Sequence, residues 1–237
     1  MPVAAGDAPQ AIQAMRAFDW MGLSVTMPHK HAVMQACDEL TPTAQRLGAV
    51  NCVFWRGDKI VGDSTDGQGF VRGLQADLGT TLDGSRCVLV GAGGAAGAVA
   101  ESLGLAGASD VAVINRTEQK AQAVAALAGS AGRVGSVDDL RQADVVINAT
   151  PLGMGSTDLV DQVPFDVAIL GDDAVVSDLI YHPAETRLLA QARSRGLRAQ
   201  NGLPMLVHQA VVAFEHWTGV AAPVSAMSAA VANSLSQ

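Results

Sequence analysis

The chain has 237 residues, 49% of them hydrophobic, with a mean hydropathy of +0.25, which is enough apolar matter for a substantial core in one large or two modest domains. A net charge of −8 and a pI near 4.9, with no basic cluster, argue against nucleic acid and anionic membranes as partners. No charge-free apolar run reaches the roughly 18 residues of a membrane span, and the opening Met1-Pro-Val-Ala-Ala-Gly-Asp7 has neither the basic nor the apolar part of a signal peptide. Cys37, Cys52 and Cys87 show no metal-ligand spacing and cannot all pair, so they read as reduced thiols in a cytoplasmic protein without a metal.

In chain order, residues 8–18 read as a helix and 23–26 as a strand. Only residues 2–4 are left to supply an earlier strand, so the α/β layer that begins here is expected to be incomplete. Pro28 stops the strand, and Lys30 opens a helix over 31–37, where a lysine opposes the helix dipole. His29 and His31 flank it two residues apart on a turn, a spacing that does not present two metal ligands together. Residues 52–55 and 60–62 read as a hairpin around Arg56-Gly57-Asp58-Lys59. The polar loop Gly62-Asp-Ser-Thr-Asp66-Gly67-Gln-Gly69 then leads into a helix over 70–78, for which Asp66 is either a cap or a carboxylate facing a ligand.

After a linker at 78–84 comes the stretch that organises the rest. The apolar run Cys87-Val-Leu-Val90 ends in Gly91-Ala92-Gly93-Gly94-Ala95-Ala96, followed by a small-residue helix over 95–105 and a strand over 111–114. Strand, glycine turn, helix and strand within about 30 residues is the context of a dinucleotide site. Gly91 permits the tight turn, Gly93 the close approach of a pyrophosphate, and the helix N-terminus offers free N–H groups. The second strand ends in Asn115-Arg116-Thr117 where an NAD site usually carries a carboxylate, so these donors favour the 2′-phosphate of NADP. Thr117 is also placed to cap the helix over 118–127. Further on, 136–142 reads as a short helix and 144–148 as a strand. That strand ends in Asn148-Ala149-Thr150-Pro151, at the carboxyl edge where doubly wound sheets bind ligands. A strand over 175–180, Tyr181-His-Pro183, a helix over 185–195 capped by Gly196, and a helix over 205–217 led by Pro204 complete the chain.

Ser24-Val-Thr-Met-Pro-His-Lys30, Gly48-Ala-Val-Asn51, Gly62-Asp-Ser-Thr-Asp66-Gly67, Gly91-Ala-Gly-Gly-Ala95, Asn115-Arg-Thr117, Asn148-Ala-Thr-Pro-Leu-Gly-Met154, Asp178 with Tyr181-His-Pro183, and Asn201-Gly-Leu-Pro-Met205 with Gln209 occur in that order. Together they resemble the shikimate dehydrogenase family. The resemblance implies a two-domain α/β protein: a substrate-binding domain over 1–80, on which 205–237 pack back, and a doubly wound, Rossmann-type NADP domain over 81–204. It implies reversible hydride transfer between NADPH and 3-dehydroshikimate in aromatic amino-acid biosynthesis, by a monomer or homodimer. By position, Lys30 and Asp66 match the family's catalytic pair, and Thr26, Asn51, Tyr181 and Gln209 its substrate contacts. Gly91 to Ala95, Asn115 to Thr117, Asn148 to Thr150, Gly202 and Met205 match the cofactor side.

This agrees with the chemistry, since ketone reduction needs a proton source at the oxygen and Lys30, oriented by Asp66, is one. The Ser-x-Ser segment that binds the substrate carboxylate in family members has no counterpart here, and an apolar sheet edge is expected to be exposed in its place. Ser24 and Ser64 stand where many members carry Asn, leaving quinate or an amino-substituted analogue open as substrate. A nucleotide-binding module without turnover, and a folate-type methylene dehydrogenase, are the competing readings.

Overall fold

The computed structural model describes residues 3, 4, 6–155 and 158–235. Two sheets organise them. The first holds β1 (Gly22–Ser24), β2 (Glu39–Leu40), β3 (Cys52–Arg56) and β4 (Lys59–Asp63) in the order β1-β3-β4-β2. The β3–β4 hairpin turns at Gly57, whose φ of +62° suits a residue without Cβ. β2 joins β4 in parallel, and β1 forms the antiparallel outer strand on β3. The helices α1 (Ala8–Ala17), α2 (Lys30–Ala36) and α3 (Pro42–Leu47) accompany this sheet, and Ile12, Met15, Val33, Val50, Val53 and Ile60 form its core.

The second sheet is wholly parallel: β5 (Arg86–Val90), β6 (Asp110–Ile114), β7 (Gly132–Val134), β8 (Val145–Asn148), β9 (Val175–Asp178) and β10 (Arg198–Gln200), in the order β10-β9-β8-β5-β6-β7. Its central strands are continuous apolar runs because both faces are covered. On one side lie α4 (Asp66–Leu78), α5 (Ala96–Leu105) and α6 (Glu118–Leu127), over Leu89, Val111, Val113, Val145 and Ile147. On the other, α7 (Arg187–Ser194) and a loop carrying Phe165 cover Val88, Val146 and Val176. The chain closes with α8 (Leu203–Thr218) and α9 (Val224–Leu235), α9 packing on α8.

Several elements depart from the sequence reading. No strand forms at Val3 and Ala4, and Pro2 lies outside the described residues. β1 is the outer strand of its sheet, and Phe18, Met21 and Met27 near it are 68%, 60% and 75% exposed. β2, β7 and β10 are two or three residues long, too short for a periodic signal. The helix expected from residue 70 starts at Asp66, since Asp66 is its first residue and Thr65 its cap position.

That early start explains the glycines of α4, which propensity alone disfavours in a helix. A Cβ on Gly67 would lie 2.2 Å from the Ala98 carbonyl oxygen of α5. On Gly69 it would lie 2.5 Å from the Gln209 backbone nitrogen, and on Gly73 2.8 Å from Pro204, both in α8. The missing side chains let α4 touch a helix of the parallel sheet and the helix that carries Gln209. A second link joins the two halves: Arg46 Nε of α3 donates to Glu101 Oε1 of α5 at 2.6 Å, and Glu101 is 3% exposed. Gly69→Ala is therefore expected to destabilise the protein by about 1–3 kcal/mol through overpacking. A thermal melt superimposable on the parent's would show that α4 and α8 separate freely.

Candidate active site

Lys30 and Asp66 come from different helices, and each is the first residue of its own. The N-terminus of α4 favours the Asp66 carboxylate, whereas that of α2 disfavours a lysine. The two meet: Lys30 Nζ donates to Asp66 Oδ2 at 2.6 Å, with the side chains 28% and 16% exposed. Val50 N bonds to Lys30 O at 3.0 Å, which ties the start of α2 to the Gly48-Ala-Val-Asn51 loop.

Asn51, 4% exposed, holds the other carboxylate oxygen. Its Nδ2 donates to Asp66 Oδ1 at 2.7 Å and to Thr65 Oγ1 at 3.1 Å, and its Oδ1 accepts from Thr65 N at 2.8 Å. Gln209 approaches from α8: Thr65 Oγ1 donates to its backbone oxygen at 3.1 Å, and its side-chain Oε1 is 3.5 Å from Asn51 Nδ2. Lys30, Asn51, Asp66 and Gln209, with Ser24, Thr26 and Tyr181, line a cleft of about 320 Å³. Asp66 is thus no helix cap.

One strand residue before this loop, Asp63 anchors it. Its Oδ1 accepts from Thr41 Oγ1 at 2.5 Å and from Ser64 N at 2.8 Å, and its Oδ2 lies 3.2 Å from His216 Nε2. Burial alone would raise its carboxyl, but the bonds from His216, Thr41 and Ser64 outweigh that and hold it below the ordinary carboxylate range.

A second cavity, of about 710 Å³, lies over the carboxyl ends of β5, β6 and β8. Gly91 has φ +109°, and a Cβ there would meet the Ala149 backbone at 2.8 Å, so only glycine fits the turn. No side chain caps α5, which leaves its N-terminal amides to an anion. Asn115, Arg116, Thr117 and Lys120 form the cavity's far wall, and among the described residues no carboxylate lines it. A backbone cradle for a pyrophosphate with two cations for a further phosphate fits a phosphorylated dinucleotide.

Most of the residues expected from sequence line one cavity or the other. Gly91, Ala92, Gly93, Asn115, Arg116, Thr117, Ala149 and Thr150 line the second, and Thr117 makes no side-chain cap bond to α6. Ala95, Gly202 and Met205, expected on the cofactor side, line the first, beside Lys30 and Asp66. Gly94 lies at an exposed position outside both linings. Asn148 has no exposed surface, its side chain engaged by Asp178, Thr150 and Leu152 O beneath the cavity.

The sequence reading passed over Lys120. It lies in the first turn of α6, a lysine set against a helix dipole as Lys30 is, and that shared oddity was the available signal. His29 and His31 diverge, one toward Val3 O at 3.0 Å and the other toward Gly48 O at 3.2 Å. The three thiols are free, and burial pushes Cys37 and Cys87 up to about 11 and Cys52 to about 12.

A glycine cradle at the edge of a parallel sheet, opening beside a lysine–carboxylate pair, defines a dinucleotide-dependent oxidoreductase architecture. Three family models match along the chain. They are the shikimate dehydrogenase substrate binding domain over residues 1–53, shikimate / quinate 5-dehydrogenase over 74–156, and the shikimate 5′-dehydrogenase C-terminal domain over 202–232. A shikimate dehydrogenase (NADP(+)) of Symbiobacterium thermophilum is 42% identical over 233 residues, covering 93% of this chain and 78% of that protein. The shikimate 5-dehydrogenase of Thermus thermophilus, solved in complex with NADP(H) and shikimate, superposes with a TM-score of 0.86 at 35% identity, over 99% of this chain and 86% of that one. A ligand-free 5-ketofructose reductase of Gluconobacter sp. strain CHM43 superposes with a TM-score of 0.88 at 34% identity, over 98% and 86%. The chain belongs to the shikimate dehydrogenase family.

The anchoring of the Asp66 loop through Asp63 has a pH signature. A carboxyl held below its unfolded value contributes stability that is complete above the unfolded pKa, near 4, and is lost as pH falls through the lower folded value. Urea midpoints measured from pH 6 down to pH 3 should fall more steeply for the parent than for Asp63→Asn. Parallel curves would mean that Asp63 is no anchor.

Proposed function

We propose that this chain is an NADP-dependent dehydrogenase that interconverts 3-dehydroshikimate and shikimate, a step toward the aromatic amino acids. The observation that carries the proposal is the 2.6 Å Lys30–Asp66 pair in a cleft beside a dinucleotide cradle that carries Arg116 and Lys120. Residues 1–80 with 205–237 serve the substrate, and 81–204 the cofactor.

Bound NADPH supplies the hydride to the keto carbon. Lys30 gives a proton from its ammonium group to the carbonyl oxygen as that oxygen gains charge, so the C=O becomes CH–OH and the lysine is left as a neutral amine to regain a proton from water. Asp66 fixes the direction of the Nζ–H bonds, and Asn51 fixes Asp66. Asn51 is therefore chiefly a support, its polar atoms already engaged. Ser24, Thr26, Tyr181 and Gln209 are left to meet the hydroxyl groups of the substrate. Arg116 and Lys120 take the 2′-phosphate, and Asn115 and Thr117 the adjoining ribose.

A second reading has one observation in its favour. Among the described residues the sole cation lining the cleft is Lys30, already paired with Asp66, so none of them offers a free cation to a substrate carboxylate. A neutral polyhydroxy ketone, such as the one named for the Gluconobacter reductase, also suits such a cleft. Quinate is a carboxylate substrate of the same reading as shikimate.

No helix among the described residues is long and apolar enough to cross a membrane. We place the enzyme in the cytoplasm, as a monomer or homodimer.

Growth of the NADPH absorbance band with shikimate and NADP is the deciding assay, run beside quinate, and with reduction of 5-ketofructose followed as its decay. Activity on 5-ketofructose alone would favour the second reading, and NADPH binding without turnover would leave a binding module. Lys30→Ala should lower kcat at least about a hundredfold while NADPH binding is retained. An unchanged kcat removes Lys30 from the chemistry. Arg116→Ala should weaken NADP by about ten- to a hundredfold and leave NAD nearly untouched, since only the former loses a charge-assisted bond. Equal loss for both dinucleotides would refute the 2′-phosphate assignment.

A further inference from the structure

The carboxylate of Asp178, at the end of β9, has no exposed surface and no ion-pair partner among the described residues. Three donors surround it. Asn148 Nδ2 reaches Oδ1 at 3.0 Å, Ile180 N reaches the same oxygen at 3.1 Å, and Thr186 Oγ1 reaches Oδ2 at 2.7 Å. Burial raises this carboxyl above its ordinary range, against the three bonds that favour the charge.

The bonds continue outward in two directions. On the β8 side, Asn148 Oδ1 accepts from Thr150 Oγ1 at 2.7 Å and from Thr150 N at 2.9 Å, and Thr150 Oγ1 in turn accepts from Leu152 N at 3.2 Å. Ala149, Thr150 and Leu152 line the dinucleotide cavity. On the β9 side, Ile180 N turns the chain just before Tyr181, and Leu179 and Tyr181 line the Lys30 cleft.

A carboxamide has a donor end and an acceptor end of nearly equal shape, so packing alone does not choose between them. Asp178 supplies the charged acceptor that chooses, since a carboxylate only accepts, and Leu152 O, which accepts from Nδ2 at 3.3 Å, and Thr150 N favour the same orientation. With Nδ2 turned toward Asp178, Asn148 must present its oxygen to Thr150. We propose that Asp178 is a positioning residue that fixes the polarity of the Asn148 side chain, and through it holds the Ala149–Leu152 segment in the shape that receives the part of the dinucleotide nearest the Lys30 cleft. This rests on the dehydrogenase reading only for the identity of the ligand. The opposite end of the cavity, with Arg116 and Lys120, lies beyond β5 on the β6 side and shares none of these bonds.

The topology supplies the test. Asp178→Asn keeps the shape but removes the charged acceptor that directs the Asn148 amide, leaving only Thr150 N and Leu152 O to hold its orientation. NADPH titrated by its fluorescence should then bind at least about tenfold more weakly. Adenosine 2′,5′-bisphosphate, which reaches only the Arg116 side, should bind within twofold of the parent. Equal loss for both ligands would indicate general loosening and overturn the proposal, as would parental NADPH affinity in a variant that merely melts lower. Should Asp178→Asn not fold, Thr186→Val carries the test by freeing one carboxylate oxygen, with a several-fold loss for NADPH alone expected and no loss overturning it. These titrations need no turnover. A parent that binds NADPH tightly but fails to oxidise shikimate would refute the proposed reaction and leave the role of Asp178 standing.

Discussion

The rest of the structure depends on how closely α4 approaches its neighbours. Its N-terminus delivers Asp66, one flank meets α5 of the parallel sheet at Gly67, and the other meets α8 at Gly69 and Gly73. Side chains at those positions would push the two helices outward, and protein interiors pack too densely to absorb such a shift elsewhere. The cleft is lined from both sides of that contact, by Asp66 of α4 and by Met205, Leu206 and Gln209 of α8. The base of the site is thus set by three absent side chains as much as by the Lys30–Asp66 bond.

Around that spine the polar groups act in series. Asp63 anchors the loop, Asn51 holds Asp66, and Asp66 holds Lys30. In the other half Asp178 sets Asn148, which sets Thr150. Each chain starts from a carboxylate held by several donors, Asp63 half-buried and Asp178 fully buried, where a lowered dielectric strengthens a hydrogen bond.

The sequence makes the parallel sheet legible because β5, β6 and β8 are apolar runs followed by marked turns, and Gly91 and Asn115-Arg-Thr117 carry their own physical reasons. What it hides is of two kinds. Short edge strands such as β7 and β10 are defined by pairing partners, not by three residues of pattern. The glycines of α4 look like helix breakers until the helices that require them are in place, so α4 reads as starting four residues late. Lone polar residues are the harder case. Asn148 stands in a binding motif and turns out buried, whereas Lys120 stands outside the quoted motif and reaches the cavity.

Lys30 and Lys120 share one more property. Each sits in the first turn of a helix, where the backbone field is unfavourable to a cation. Asp66 answers the first lysine permanently, while the second faces a cavity lined, among the described residues, with no acid. The two helices therefore differ in how the lysine is answered: Lys30 of α2 by Asp66 at folding, whereas α6 carries Glu118 in its own first turn and Lys120 gains a further partner when an anion arrives. A protein built this way couples melting to occupancy beyond simple contact formation. At a hundred times its dissociation constant a ligand already adds about 2.7 kcal/mol to the folded state. In a cell where the dinucleotide pool rises and falls, the lifetime of this enzyme would then follow the supply of its own cofactor.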